Sequence, residues 1–290
     1  MRHLALVLLA ALAPAAAPAP AQQETIRRAI DAHALPAVTR AATEAADLED
    51  AALADCAPDS PALRAAFRDA RQAWLRAAHL RFGPALEDDR LRRMAGRPAE
   101  GADALTRLLQ EPGTGAIADA PLSARGLHAL ERLLTEPNLQ ALGTAEDRCA
   151  LIRMIAGDIA QSAAAIRTGW TDGHADAMWA AGAPGNTAYP TQAAALRTLL
   201  DAVLAGLDAA AGRLERGAPQ DVATSLDAIA DLAVVLARAA GAEQAVRSQS
   251  DTIATRLARG ETRAARDGIA ALRATLARDV APGLGLAPDG

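Results

Sequence analysis

Apolar positions recur along this chain at the three- and four-residue spacing of helices, and the few β-branched residues do not alternate as in strands. Leu196, Leu199, Leu200, Val203, Leu204 and Leu207 form one stripe. Val222, Leu226, Ile229, Ala233 and Leu236 form a second, with Asp221 before it as the expected N-cap. Ile152, Ile155, Ile159 and Ile166 mark a third, entered through Thr144 and stopped near Gly169. A fourth opens at Ser60-Pro61, a capping residue followed by proline at the first helical position, and carries Phe67, Ala70 and Trp74 inward. The spacing predicts helices over 24–55 with a bend at Pro36, 60–82, 101–110, 121–135, 145–169, 191–215, 221–240 and 243–281, the last interrupted at Gly260. Breaks fall at Phe82-Gly83-Pro84, at Glu111-Pro112-Gly113-Thr114-Gly115 and from Gly182 to Pro190. The expected fold is all-α, in two helical-bundle halves over 22–181 and 191–290, each long enough for a small core.

The start of the chain reads differently. Met1-Arg2-His3, the apolar run Leu4 to Leu12 and the A-x-A site Ala19-Pro20-Ala21 predict a secretory signal peptide over 1–21, with cleavage after Ala21. The run is well short of the ~20 residues of a membrane span, so the mature chain is expected to be exported, without a span. No cysteine stands directly after the run, at the expected new N-terminus, so a lipid anchor there is not expected.

Export changes the reading of the two cysteines: an oxidising compartment favours a structural disulfide between Cys56 and Cys149, and no CxxC metal or redox motif exists. The formal charge is -5, and every basic residue is an arginine interspersed with acids. No basic run supplies the footprint of a nucleic-acid binder. Aromatic residues make up only 2% of the chain, so its alanine-rich helices must pack closely rather than around large anchors. Trp74, Trp170 and Trp179 are read as core residues.

The one compact chemical constellation is Gly126-Leu127-His128-Ala129-Leu130-Glu131. His128 and Glu131 stand at i and i+3, on one helical face, beside the stripe Leu127, Leu130 and Leu134. They either address one ion or substrate together or form a half-buried hydrogen-bonded pair. Gly126 permits a close approach to the backbone. An imidazole and a carboxylate suit zinc or iron, but two ligands are too few for a complete site. His33, just before Pro36, is a candidate to pack near them, and Glu87, Asp88 and Asp89 are further carboxylates that read individually as solvated acids. No HExxH, G-x-S-x-G, P-loop or dinucleotide-binding pattern is present.

These residues resemble a known family. The hexapeptide fits the G-x-H-x-x-E motif of the imelysin (insulin-cleaving metallopeptidase-like) family. Trp74 through Arg81-Phe82-Gly83-Pro84 resembles its early Trp…FGP element, and Arg148-Cys149-Ala150-Leu151, running on to Gly169-Trp170, is similar to the helix after the motif in its periplasmic branch. The likeness is densest from Cys56 to Trp170 and diffuse after residue 190. It implies two four-helix-bundle-like halves, with the motif helix at a shared site near their junction. Gly126, His128 and Glu131 carry over, with Arg81, Gly83 and Pro84 as further site candidates beside His33. Where a Trp-Pro-Asp-like element is expected, this chain has Arg93-Met94-Ala95-Gly96-Arg97-Pro98, a departure that would change the ligand if the segment lines the site.

The expected function is that of an exported, periplasmic, non-enzymatic binding protein. It would handle a divalent metal, iron or zinc, through His128 and Glu131, with periplasmic or outer-membrane uptake components as partners and no nucleic acid. One alternative is a metallopeptidase with Glu131 as general base, which needs an open metal position and an activated water. The other is a structural or partner-binding role.

Overall fold

Proline 36 shapes the first long helix. In the computed structural model, which describes residues 19–97, 103–111, 117–217 and 219–286, α1 (Ala19–Ala29) runs through a π-helical turn (Ile30–Ala34) into α2 (Leu35–Ala54). Pro36 offers no N–H, and its ring crowds the turn before it. That turn widens, so that the Leu35 N–H reaches the Ile30 carbonyl and the helix bends without breaking. Most of the expected leader, residues 1–18, lies outside the described residues.

Local chemistry sets the other helix starts. Ser60 caps α3 (Pro61–Ala77) by accepting the Leu63 N–H, and α3 stops five residues short of the predicted end at 82. A short helix, α4 (Arg90–Ala95), falls where none was expected. Asp103 caps α5 (Ala104–Gln110). The predicted 121–135 helix is a 3-10 turn, Leu122–Ala124, followed by α6 (Gly126–Thr135) and then α7 (Pro137–Gln140). Thr144 and Asp147 form a reciprocal capping box at α8 (Ala145–Gly169), which passes through a second π-type turn into α9 (Ala175–Trp179). Thr191 caps α10 (Gln192–Glu215). Next come α11 (Pro219–Ala239), α12 (Glu243–Ala258), α13 (Thr262–Thr275) and α14 (Ala281–Gly283), with Gly260 at φ +73° making the turn between α12 and α13. The expected N-cap at Asp221 is corrected here. Proline at the first position starts α11 two residues earlier, so Asp221 sits in the first turn with its carboxylate on Arg71.

Among the described residues there is no strand. One half packs α2 against α3 and α8, with α6 on α8; the other packs α10, α11, α12 and α13 in succession. α3 meets α11 across the junction. α1 packs on α10 and α11, so the first helical rod, 19–54, runs from one bundle into the other. Among the described residues, nearly all the buried apolar side chains form one contiguous cluster. The run Ala145–Trp179 is long and apolar enough to cross a membrane by length and composition, but it is a core helix, with Ile152, Ile155 and Ile159 fully covered. The disulfide Cys56–Cys149 joins the end of α2 to the first turns of α8.

Candidate functional site

The N-terminus of α6 is built on a backbone contact that only glycine allows. Arg125 is extended and Gly126 has φ +70°. A Cβ on Gly126 would stand 2.3 Å from the Arg93 carbonyl oxygen and 2.6 Å from the Gly96 nitrogen at the end of α4. The close approach predicted for Gly126 is therefore to a neighbouring helix. Beneath it lies a buried carboxylate. Asp158 of α8 accepts from Arg125 Nε at 3.0 Å and Nη2 at 2.6 Å, and from Arg93 Nη2 at 2.7 Å. Burial alone would push the Asp158 carboxyl up; the hydrogen bonds from Arg125 and Arg93 outweigh it and hold it below the usual carboxylate range.

His128 and Glu131 sit one turn further along α6, both half-buried. No hydrogen bond joins them. Instead Glu131 Oε1 is 3.2 Å from Arg71 Nη1 of α3, and Arg71 Nη2 donates to Asp221 Oδ2 of α11 at 2.8 Å. One guanidinium thus links the motif helix to the other half. The neighbouring Arg132 is fully engaged, with Asp103 at 2.6 Å and Glu136 at 2.8 Å. Burial, then the charge of Arg132, pushes the His128 pKa down, against the opposing pull of Glu131 and Glu136. The imidazole is therefore neutral at pH 7, the state a metal ligand requires. Among the described residues, no group of three or more His, Cys, Asp and Glu side chains is placed to hold a metal ion.

Beside this bridge a cavity of about 210 Å³ opens between the halves, walled by α3, α4, α10 and α11. Arg81 lines it, as do Arg97 and Gly96 from the segment that departs from the family pattern. His128 and Glu131 do not line it, but a side chain at Gly96 would come within 3.2 Å of His128 Cβ, so motif and cavity share a wall. His33 reaches the cavity only indirectly. Its Nε2 is 2.8 Å from Nε2 of His79, a wall residue, and both rings are buried. Desolvation lowers the two pKa values to about 4 for His33 and about 3 for His79, where the charge of His33 adds to it. Both are neutral, one donating and the other accepting.

Gly83 and Pro84 lie instead at the end of α8. Phe82 meets Trp170 edge to face at 5.4 Å, Pro84 packs on Gly169, and His174 bonds the Tyr189 hydroxyl at 3.2 Å. Gly83, at φ +54°, has the His174 ring where a Cβ would stand, 2.3 Å from Cε1. Gly83→Ala is expected to cost about 1–3 kcal/mol through overpacking and the strained φ, read as a lowered urea midpoint at unchanged slope. An unchanged midpoint would show that the ring yields freely. Glu87, Asp88 and Asp89 are exposed and paired with Arg90 and Arg92.

Sequence reasoning passed over Arg71, Arg125, Asp158, Arg213 and Asp221 as site residues. For Asp158 a signal existed: it shares a helical face with Ile155, Ile159 and Ser162, an acid inside an apolar stripe. The others look like ordinary arginines and acids until the helices are packed.

Residues 34–278 match the family model described as Imelysin. The fold is similar to that of an imelysin-like protein from Psychrobacter arcticum 273-4, at TM-score 0.72 and 18% identity, covering 95% of this chain and 100% of that one. It is also similar to a Parabacteroides distasonis ATCC 8503 protein described as an iron-regulated protein A precursor, at TM-score 0.66 and 14% identity, covering 93% and 95%. At such identities the likeness is one of fold. No curated protein matches the chain.

Proposed function

Because the chain belongs to the imelysin family, we propose that it is an exported, non-enzymatic binding protein that handles a metal, iron foremost, through His128 and Glu131. The supporting observation is a neutral, half-buried imidazole one helical turn from a carboxylate, at the seam between the halves. The iron-regulated description of a protein of similar fold agrees with this reading.

Two donors fall short of the three protein ligands plus water of a catalytic zinc centre. A resident metal cofactor therefore does not fit these residues alone, and the ion is read as cargo that brings its remaining ligands with it. Glu131 would leave Arg71 to meet the ion, and Arg71 would keep a partner in Asp221. The leader over 1–21 and a periplasmic location, with uptake components as partners, belong to the same proposal.

The test is titration of the purified mature chain with ferrous iron and zinc, beside His128→Ala, Glu131→Gln and the double variant. Each single change should remove most of the binding, with the double hardly worse, because ligands of one ion act as a unit. Affinity should fall in acid as the imidazole protonates, at a pH below the ordinary histidine range because burial lowers its pKa. Single variants that bind like the wild type would sink the proposal. Cleavage of an unfolded polypeptide, lost in Glu131→Gln, would replace it with the peptidase alternative.

A further inference from the structure

We infer that the cavity between the two halves binds a small, multiply charged oxyanion, of the polycarboxylate or phosphate class, through the guanidiniums of Arg81, Arg97 and Arg213. The inference is independent of metal binding at His128 and Glu131.

The wall chemistry is one-sided. Four arginines, Arg81, Arg92, Arg97 and Arg213, line the cavity, and among the described residues no aspartate or glutamate does. In a chain whose formal charge is -5, such a local excess of positive charge runs against the overall balance. Elsewhere on this molecule arginines are commonly paired with carboxylates, as at Asp158, Asp103 and Asp221. Here Arg92 has Asp89 at 3.2 Å, on the exposed side. Arg81, Arg97 and Arg213 have no carboxylate within ion-pair distance among the described residues.

Arg213 is the informative member. It is half-buried on α10, and its Nη1 donates to the Ser225 hydroxyl at 3.1 Å, which itself donates to the Asp221 carbonyl at 2.8 Å. That leaves its remaining N–H groups without a charged acceptor among the described residues. Burial lowers its pKa; Asp221 opposes that, while Arg216, Arg81 and Arg71 lower it further. A partly desolvated cation among like charges costs free energy until an anion joins it.

The shape narrows the ligand. At about 210 Å³ the cavity is smaller than the roughly 300–1,000 Å³ of sites for drug-sized molecules, so the ligand is small. His79 and Ile229 pack against Gly206 of α10, and Trp74, Leu91 and Ile229 give an apolar floor. Guanidiniums match carboxylate and phosphate oxygens in planar, bidentate fashion. A cationic rim over an apolar floor suits oxygens carried on a short carbon skeleton, and the rim alone suits phosphate.

The experiment is calorimetric titration of metal-free full-length mature protein with citrate, with inorganic phosphate and with acetate as the singly charged control. Arg81→Gln, Arg213→Gln and Arg263→Gln are compared, the last an exposed arginine outside the cavity. Citrate, phosphate or both should bind more tightly than acetate. Arg81→Gln, a surface change that leaves the core intact, should weaken binding about tenfold or more, Arg213→Gln at least as much, and Arg263→Gln negligibly. Binding by citrate alone assigns a polycarboxylate; binding by phosphate assigns the phosphate class. Retention of binding in Glu131→Gln separates this site from the metal proposal. No binding by either probe, or equal weakening by Arg263→Gln and Arg81→Gln, would overturn the inference.

Discussion

Asp158→Ala is expected to destabilise the folded protein by roughly 3–5 kcal/mol, because it strips the shared counter-charge from two guanidiniums. Asp158 is only 2% exposed at its side chain, Arg125 is 7% exposed and Arg93 is 20% exposed, so water cannot simply take the place of the carboxylate. The damage should be local in origin and global in effect. Arg93 lies in α4, Arg125 immediately precedes α6, and both reach α8 through the Asp158 carboxylate. Asp158→Asn keeps the shape but cannot accept both guanidiniums as an anion, so it should lie between wild type and alanine. Urea unfolding measures the series, and a loss below about 1 kcal/mol for alanine would mean the arginines find other acceptors.

The pH dependence follows with a definite sign. The folded-state pKa of Asp158 is depressed relative to the unfolded chain. Its contribution is therefore fully present above the unfolded value of about 3.9 and is lost as pH falls through the lower folded value. Acid unfolding of the wild type below about pH 4 should contain this step, and Asp158→Asn should lack it.

Removing the disulfide should cost about 4–5 kcal/mol in the chain-entropy model, since the bridge closes a loop of 93 residues. The melting temperature of Cys56→Ser/Cys149→Ser should then fall by on the order of 10 °C. The helices should persist, because α2 packs along α8 with Leu48, Ile152 and Ile155 buried there irrespective of the bond. Far-UV circular dichroism should be unchanged below the transition. Two titratable thiols per chain in denatured, unreduced protein, or an unaltered melting temperature, would contradict the expectation.

The helical spacing of leucine, isoleucine and alanine is a local property, so the sequence by itself determined the all-α class and most helix spans. Capping chemistry did the same at Ser60 and Thr144, whose side chains meet N–H groups three residues away. It failed at Asp221, where an acid near a helix start served equally well as an ion-pair partner. The pairing of Cys56 with Cys149 followed from there being two cysteines and no others. The hexapeptide marked His128 and Glu131, because spacing along one helix fixes which side chains share a face.

What surrounds that face was decided by tertiary structure alone. Arg71 and Asp221 are 150 residues apart and meet only because α3 packs on α11. The arginines of the cavity come from the segment after α3, from α4 and the residues just past it, and from α10, each unexceptional in its own stretch. Gly83 and Gly126 showed as motif letters, but their purpose lies in what presses on them, the His174 ring and the α4 backbone. Helix periodicity is written in neighbours three and four residues apart. Charge clusters and close contacts between distant segments depend on helix packing, which no local pattern encodes.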